Sequence, residues 1–374
     1  GIKMKKYSVV AFLIIVIILS GCTKNIVSKN EDLKTISEQP QNESEGKEEK
    51  DEIEDNSPSE NKIDFEVIKP NENGQIMILM YHGIGDKESE FVRTPENFRK
   101  DLETLYNKGY RLISLSDYVN NNIKTDDGFT PVILTFDDGL QNQFNMIENN
   151  GSYSIDSNCA IGLIEEFYKN YPDYGRAASF FVYYPTPFRQ KELINEKFNF
   201  LINNGYEIGN HGYNHENLGK VSIGEVQKSL ALNASKTNEI ISNYNVQALA
   251  LPYGAAPKGE KYKYVVSGEY NGISYYNKAV LKVGSNPAFS PNHIKFDSSR
   301  LPRVRASEIL VNGTGLYDYL KYFENNPEKR YISDGNENTI TIPESEINNI
   351  DIESINDKKL ITYDLKDNKG SDNR

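Results

Sequence analysis

An α/β fold with a mostly parallel sheet, closing into a (β/α) barrel, is the architecture this sequence predicts. Three observations carry that expectation. Short apolar runs alternate with amphipathic segments of helical period, the pattern of strands joined by crossover helices. The chemically distinctive residues each follow such a run: His82, Asp137 with Asp138, His211, and the pair Pro252-Tyr253. Several strands feeding one site from their C-terminal ends is the layout of a barrel, although an open doubly wound sheet also satisfies the alternation.

The elements follow in order. "QIMILMYHGIG", from Gln75, reads as a strand ending at His82. In "TPENFRKDLETLYNKGY" Thr94 is a helix N-cap, Pro95 takes the first helical position, Phe98, Leu102 and Leu105 share a face, and Gly109 stops the helix. Strands are predicted at 131–136 ("PVILTF"), 177–183 ("AASFFVY") and 206–209 ("YEIG"), with a helix from Lys191 to Asn204 closed by Gly205. Ser222 and Glu225 form a capping-box pattern that opens a helix towards Asn243, and "QALALPYG" supplies another strand. The stretch from Leu140 to Gly175 exceeds a usual strand-to-helix connection and is expected to carry an insertion near the mouth of the site. The Tyr-rich stretch 262–276 reads either as the lining of a groove or as core.

Composition places the remaining length. Hydrophobic residues are 37% of 374 and mean hydropathy is -0.62, so part of the chain contributes no core. A formal charge of -12 argues against a nucleic-acid partner, which needs clustered Lys and Arg. Lys3, Lys5 and Lys6 precede an apolar run from Val9 to Leu19, the form of a signal segment. "LSGC", residues 19–22, resembles the lipobox of bacterial lipoproteins, which implies a lipidated Cys22 and an extracytoplasmic protein anchored to the cell membrane. Cys159 is the only other cysteine, so no disulfide framework is expected and it reads as a small core or loop residue. The predicted divisions are a signal segment at 1–21, a disordered acidic stalk at 22–73, the folded domain at 74–334 and a weakly structured acidic tail at 335–374. A monomer is expected.

Two of the four histidines, His211 and His215, stand four residues apart in "GNHGYNHENL". On a helical turn that spacing lets both imidazoles reach one metal ion. Two ordinary core or surface histidines would look the same. A metal that takes two imidazoles wants an anionic oxygen as well, and Asp138 or Asp137 offers one from a neighbouring strand end. Adjacent side chains on a non-helical backbone point in different directions, so one carboxylate binds while the other takes a proton from water. The bland reading of Asp137-Asp138-Gly139 is a turn capping a strand.

With these residues in view, the sequence resembles the polysaccharide deacetylases of carbohydrate esterase family four. "TFDDG" (135–139) is similar to the family's first motif, "HGYNH" (211–215) to its second, and "LPYG" (251–254) to the end of its third. The resemblance covers roughly residues 75–310. It implies a distorted (β/α)₇-type barrel in which Asp137 is the general base. It also implies that Asp138, His211 and His215 bind a divalent metal, usually zinc with cobalt, nickel or manganese as alternatives, and that the Tyr253 N–H holds the oxyanion.

This sequence departs from the family in two places. Many members carry an arginine that braces the base where this chain has Ala250, so the brace is expected from Arg303, or else Arg305, in "RLPRVRAS". The late general-acid histidine of a Leu-x-His motif is also missing; His293 is read as a surface residue, and His82 in "LMYHGI" takes the acid role. That Met-Tyr-His is similar to a subgroup that includes biofilm poly-N-acetylglucosamine deacetylases. The expected activity is removal of N-acetyl groups from an acetylated envelope or extracellular polysaccharide. An O-acetyl esterase, a non-catalytic glycan-binding lipoprotein and a non-haem iron oxygenase are the competing expectations.

Overall fold

A computed structural model describes residues 64–364; the signal segment, Cys22 and most of the stalk lie outside the described residues. The central sheet is parallel. Its strands are β1 (Met77–Tyr81), β2 (Thr130–Phe136), β3 (Ser179–Val182), β4 (Glu207–Asn210), β5 (Ala248–Ala250), β6 (Ala279–Leu281) and β7 (Val304–Arg305). The spatial order is β6-β5-β4-β3-β2-β1-β7, and a short strand, Tyr110–Leu112, pairs beside the start of β2. Register is fixed by pairs such as Leu79 with Leu134 and Leu79 with Val304. The two ends of the curled sheet meet at one parallel bridge, Leu281 to Leu301, in which Leu301 N–H donates to the Val280 carbonyl at 2.9 Å and Lys282 N–H to Leu301 at 2.9 Å. That single bridge makes the barrel a distorted one.

Residue parity explains why the strands read as unbroken apolar runs. Val132, Leu134 and Phe136 face the outer layer and pack with Phe98, Leu102 and Leu105, while Ile133 faces the barrel interior with Ile78, Phe181 and Ala250. Both faces are buried, so alternation disappears. The outer helices are α1 (Pro95–Asn107), α2 (Ala160–Asn170), α3 (Ile194–Asn203), α4 (Ile223–Ile240) and α5 (Leu316–Asn325). Local signals place their starts: Thr94 Oγ1 accepts from Asn97 N–H at 3.2 Å and Ser222 Oγ from Glu225 N–H at 3.2 Å. The α4 helix stops at Ile240, three residues before the expected Asn243.

Two expectations need correction, on His293 and on the domain boundaries, and two others are made specific. The stretch 140–175 carries, besides a hairpin at Met146–Asn149 and Ser152–Ile155, the helix α2 that follows β2, with Cys159 buried as its N-cap. The Tyr-rich stretch is mostly core: Tyr275 is buried and Tyr262, Tyr264 and Tyr270 pack around Leu230 and Val265. His293 is 8% exposed and stacked on Phe289, with ring centroids 4.4 Å apart.

The second correction concerns both domain boundaries. Beyond 334 the chain forms β8 (Thr339–Pro343) and β9 (Lys359–Tyr363), a parallel pair around buried Ile340, Ile342, Ile350 and Ile355. Apolar residues are sparse there, but these four meet in space. Residues 64–73 join the fold as well: Phe65 stacks on Tyr363 at 4.8 Å, Asn71 bridges Ile332, and Asn71, Glu72 and Asn73 are buried.

Candidate metal-dependent active site

The inward parity of β2 continues past its end. Ile133 and Thr135 face the barrel interior, and Asp137, two residues on, is 1% exposed. There it meets Arg303, which is fully buried. Arg303 Nη1 donates to Asp137 Oδ1 at 2.7 Å and Nη2 to Oδ2 at 2.7 Å, a bidentate pair. The guanidinium is itself held by Thr135 Oγ1 at 3.1 Å and the Lys282 carbonyl at 2.8 Å. Burial pushes the Asp137 carboxyl up, but Arg303 outweighs it and holds the group below the usual carboxylate range.

Asp138 adopts a left-handed backbone with φ of 81°, and this turns its side chain away from that of Asp137. Its Oδ1 lies 3.3 Å from Nε2 of His211 and 3.3 Å from Nε2 of His215. One ligand atom from each of the three residues lies within 4.8 Å of the others. His211 follows β4 and is buried; its Nδ1 is 2.7 Å from the Ala250 carbonyl, which fixes Nδ1 as the donor and leaves Nε2 a lone pair for the cluster. Burial raises the Asp138 carboxyl, yet the two imidazoles hold it well below the usual range. Two imidazole nitrogens and one carboxylate oxygen suit a borderline-soft divalent cation such as Zn²⁺. The residues therefore fit the metal.

His82, at the end of β1, brings Nε2 within 3.9 Å of Asp137 Oδ2. Phe91 packs on its ring, centroids 4.8 Å apart. Burial lowers the His82 pKa, and the charges of Asp137 and Asp138 oppose that shift only in part. Tyr253, after β5, is also left-handed with φ of 56°; its ring lies 4.6 Å from that of His215 and the residue is 66% exposed. With His215 at φ of 58°, three non-glycine residues of the site are left-handed, a conformation that concentrates where function demands it.

Asp137, Asp138, His82, His211, His215, Tyr253 and Arg303 thus gather at the C-terminal face of the sheet. Arg305 stands apart, paired with Glu90. Residues the sequence reading passed over also support the site. Gln143 Nε2 donates to the carbonyls of His82 and Asp137, tying two of the loops together. Its only sequence signal was a glutamine close behind the aspartates.

The model of the polysaccharide deacetylase family matches residues 124–265. That span includes both aspartates, the histidine pair and Tyr253, and leaves out His82 and Arg303. No curated protein matches the chain. Among solved structures, the chain is similar to a polysaccharide deacetylase from Bacillus cereus (17% identity, 67% of this chain and 69% of that one, TM-score 0.48). It is also similar to the deacetylase PplD of Streptococcus pyogenes in complex with acetate (19%, 67% and 98%, 0.46) and to IcaB from Ammonifex degensii (16%, 63% and 93%, 0.43). The matched segment, which carries the paired aspartates and the histidine pair, is similar to the polysaccharide deacetylase family.

Proposed function

We propose that the protein is a metal-dependent hydrolase that removes N-acetyl groups from an N-acetylglucosamine-containing polysaccharide of the cell envelope or extracellular matrix, working from a lipid anchor at Cys22. The observation that carries this reading is the division of labour between neighbouring carboxylates. Asp138 faces His211 and His215, while Asp137 is held apart from them by Arg303. A protein that only held glycan would have no use for the second, braced acid.

In the proposed reaction Asp138, His211 and His215 hold the cation. A divalent ion there supplies Lewis-acid polarisation of the acetyl carbonyl and acidifies water. Asp137, anionic and fixed by Arg303, accepts the proton of the attacking water. Tyr253, at a left-handed turn, would offer its backbone N–H as an oxyanion donor, and loss of such a donor typically costs about 10²–10³ in rate. His82 delivers a proton to the departing amine, so acetate and a free amino sugar leave. Its lowered pKa ties this role to the protonated fraction, and turnover should fall as pH rises above the His82 value.

The test is acetate release from peptidoglycan, poly-N-acetylglucosamine and chitin oligomers by the zinc-loaded full chain, before and after chelation. Chelator-sensitive release from at least one N-acetylated polymer is expected. No release from any of them by loaded protein would overturn the reading.

A further inference from the structure

We propose that Gln143 is a positioning residue that holds the general acid His82 in place against the base Asp137. This inference rests on the function proposed above. Gln143 is fully buried and ends a single 3₁₀ turn, Gln141–Gln143, just behind the paired aspartates. Two anchors fix that turn. The Gln143 N–H donates to the Leu140 carbonyl at 3.1 Å, and Phe144, also fully buried, packs on Phe188 and Phe200 with ring centroids 5.9 and 5.4 Å away. A side-chain amide nitrogen carries two hydrogens, and here both go to the site. Nε2 donates to the His82 carbonyl at 2.9 Å and to the Asp137 carbonyl at 2.5 Å. The acceptors belong to the two residues that serve the reaction as acid and base, one just after β1 and the other just after β2.

The arrangement carries a cost that packing alone would not require. Gln143 Oε1 is buried and has no hydrogen-bond partner among the described residues. Buried polar atoms are nearly always paired, and an apolar side chain of similar size would avoid the loss, so the position uses the amide for its two donors. The two carbonyls do not depend on it equally. Asp137 is fixed independently, since Arg303 grips both its carboxylate oxygens at 2.7 Å and its own N–H donates to the Tyr81 carbonyl at 3.0 Å. The His82 ring is held more loosely, packed on Phe91 at 4.8 Å, with Nε2 standing 3.9 Å from Asp137 Oδ2 and so beyond hydrogen-bond reach. Loss of the Gln143 amide therefore moves the acid and leaves the base where it is. A misplacement of about 1 Å in such a constellation costs about 10²-fold in rate.

Leaving-group demand separates this role from general damage to the barrel. The amine of an N-acetyl sugar must be protonated as it departs, whereas para-nitrophenolate leaves without help from an acid. The zinc-loaded full chain, as wild type and as Gln143→Met, is compared on fully N-acetylated chitopentaose and on para-nitrophenyl acetate. The ratio of kcat on chitopentaose to kcat on the ester should fall about ten- to hundredfold in the variant, with KM for chitopentaose unchanged. In a His82→Gln background the same substitution should leave the ratio where it is, because the two residues act as one unit. An unchanged ratio in Gln143→Met, or a further fall in the His82→Gln background, would overturn the proposal. If Gln143→Met does not fold, Gln143→Asn, which is too short to reach both carbonyls, is read in the same way. If the wild type releases no acetate from chitopentaose, the proposed function falls, and histidine NMR of the full chain still decides the positioning role. The His82 Cε1–H signal, identified by its absence in His82→Gln, should shift in Gln143→Met, and an unmoved signal contradicts the role.

Discussion

Arg303 and Asp137 form the pair on which the residue-scale chemistry depends. Both are buried, and removing one partner of a buried ion pair leaves an uncompensated charge worth about 3–5 kcal/mol. Arg303→Met should therefore destabilise the fold by about that amount, and Asp137→Asn added to it should recover part of the loss in denaturant titrations. The pH dependence has a definite sign. Arg303 holds the Asp137 carboxyl below its unfolded value, so the pair stabilises the fold above about pH 4, and that stability is lost as pH falls through the folded value. Without the guanidinium, the burial that raises the carboxyl is opposed only by the smaller effects of His211 and His82, so the acid limb of kcat/KM in Arg303→Met should move to higher pH. A variant with wild-type stability and an unmoved limb would contradict this. Sequence reading reached the aspartates and histidines through motif spacing. It could not separate Arg303 from Arg305, because the choice depends on which arginine reaches the barrel interior and which pairs with Glu90 at the mouth. The left-handed turns at Asp138, His215 and Tyr253 leave no compositional trace.

At the scale of elements, legibility follows contact distance along the chain. The start of α1 was readable because Thr94, Pro95 and Phe98 encode it locally. The β8–β9 pair was not, since its strands are joined by a long crossover and buried through partners far away in sequence. Glu72 shows how that unit is held. Its Oε2 accepts from Thr341 N–H at 2.7 Å and its Oε1 from Tyr331 Oη at 3.2 Å, while neighbouring Asp334 accepts from Thr339 and Thr341 hydroxyls at 2.5 and 2.6 Å. Burial, with Asp334 beside it, raises the Glu72 pKa to about 8. Between the unfolded value of 4.5 and about 8 the folded state keeps a proton that the unfolded state has lost, so stability falls as pH rises through that window. Glu72→Gln keeps the shape and removes the titration. It should unfold at a higher temperature than wild type at pH 8, and the gap should close towards pH 4.5. An equal difference at both pH values would show that Glu72 does not titrate with folding.

Across the whole molecule, the site exists because a curled parallel sheet brings the ends of β1, β2, β4 and β5, and the chain leading into β7, to one place. Closure is tight. A Cβ on Gly284 would stand 1.3 Å from the Arg303 carbonyl oxygen, so only glycine lets the segment after β6 pass the one that carries Arg303. Sequence alone predicted a barrel from alternating strands and helices, but the single Leu281–Leu301 bridge that closes it depends on pairing between distant segments. The central claim is that three residues hold one cation and leave a fourth free to act as base. The most direct measurement is zinc content and acetate release from the same preparations of wild type and Asp137→Asn. The account predicts one equivalent of zinc in both and a loss of acetate release of at least about 10²-fold in the variant. Loss of zinc from Asp137→Asn, or acetate release at the wild-type rate, would contradict it.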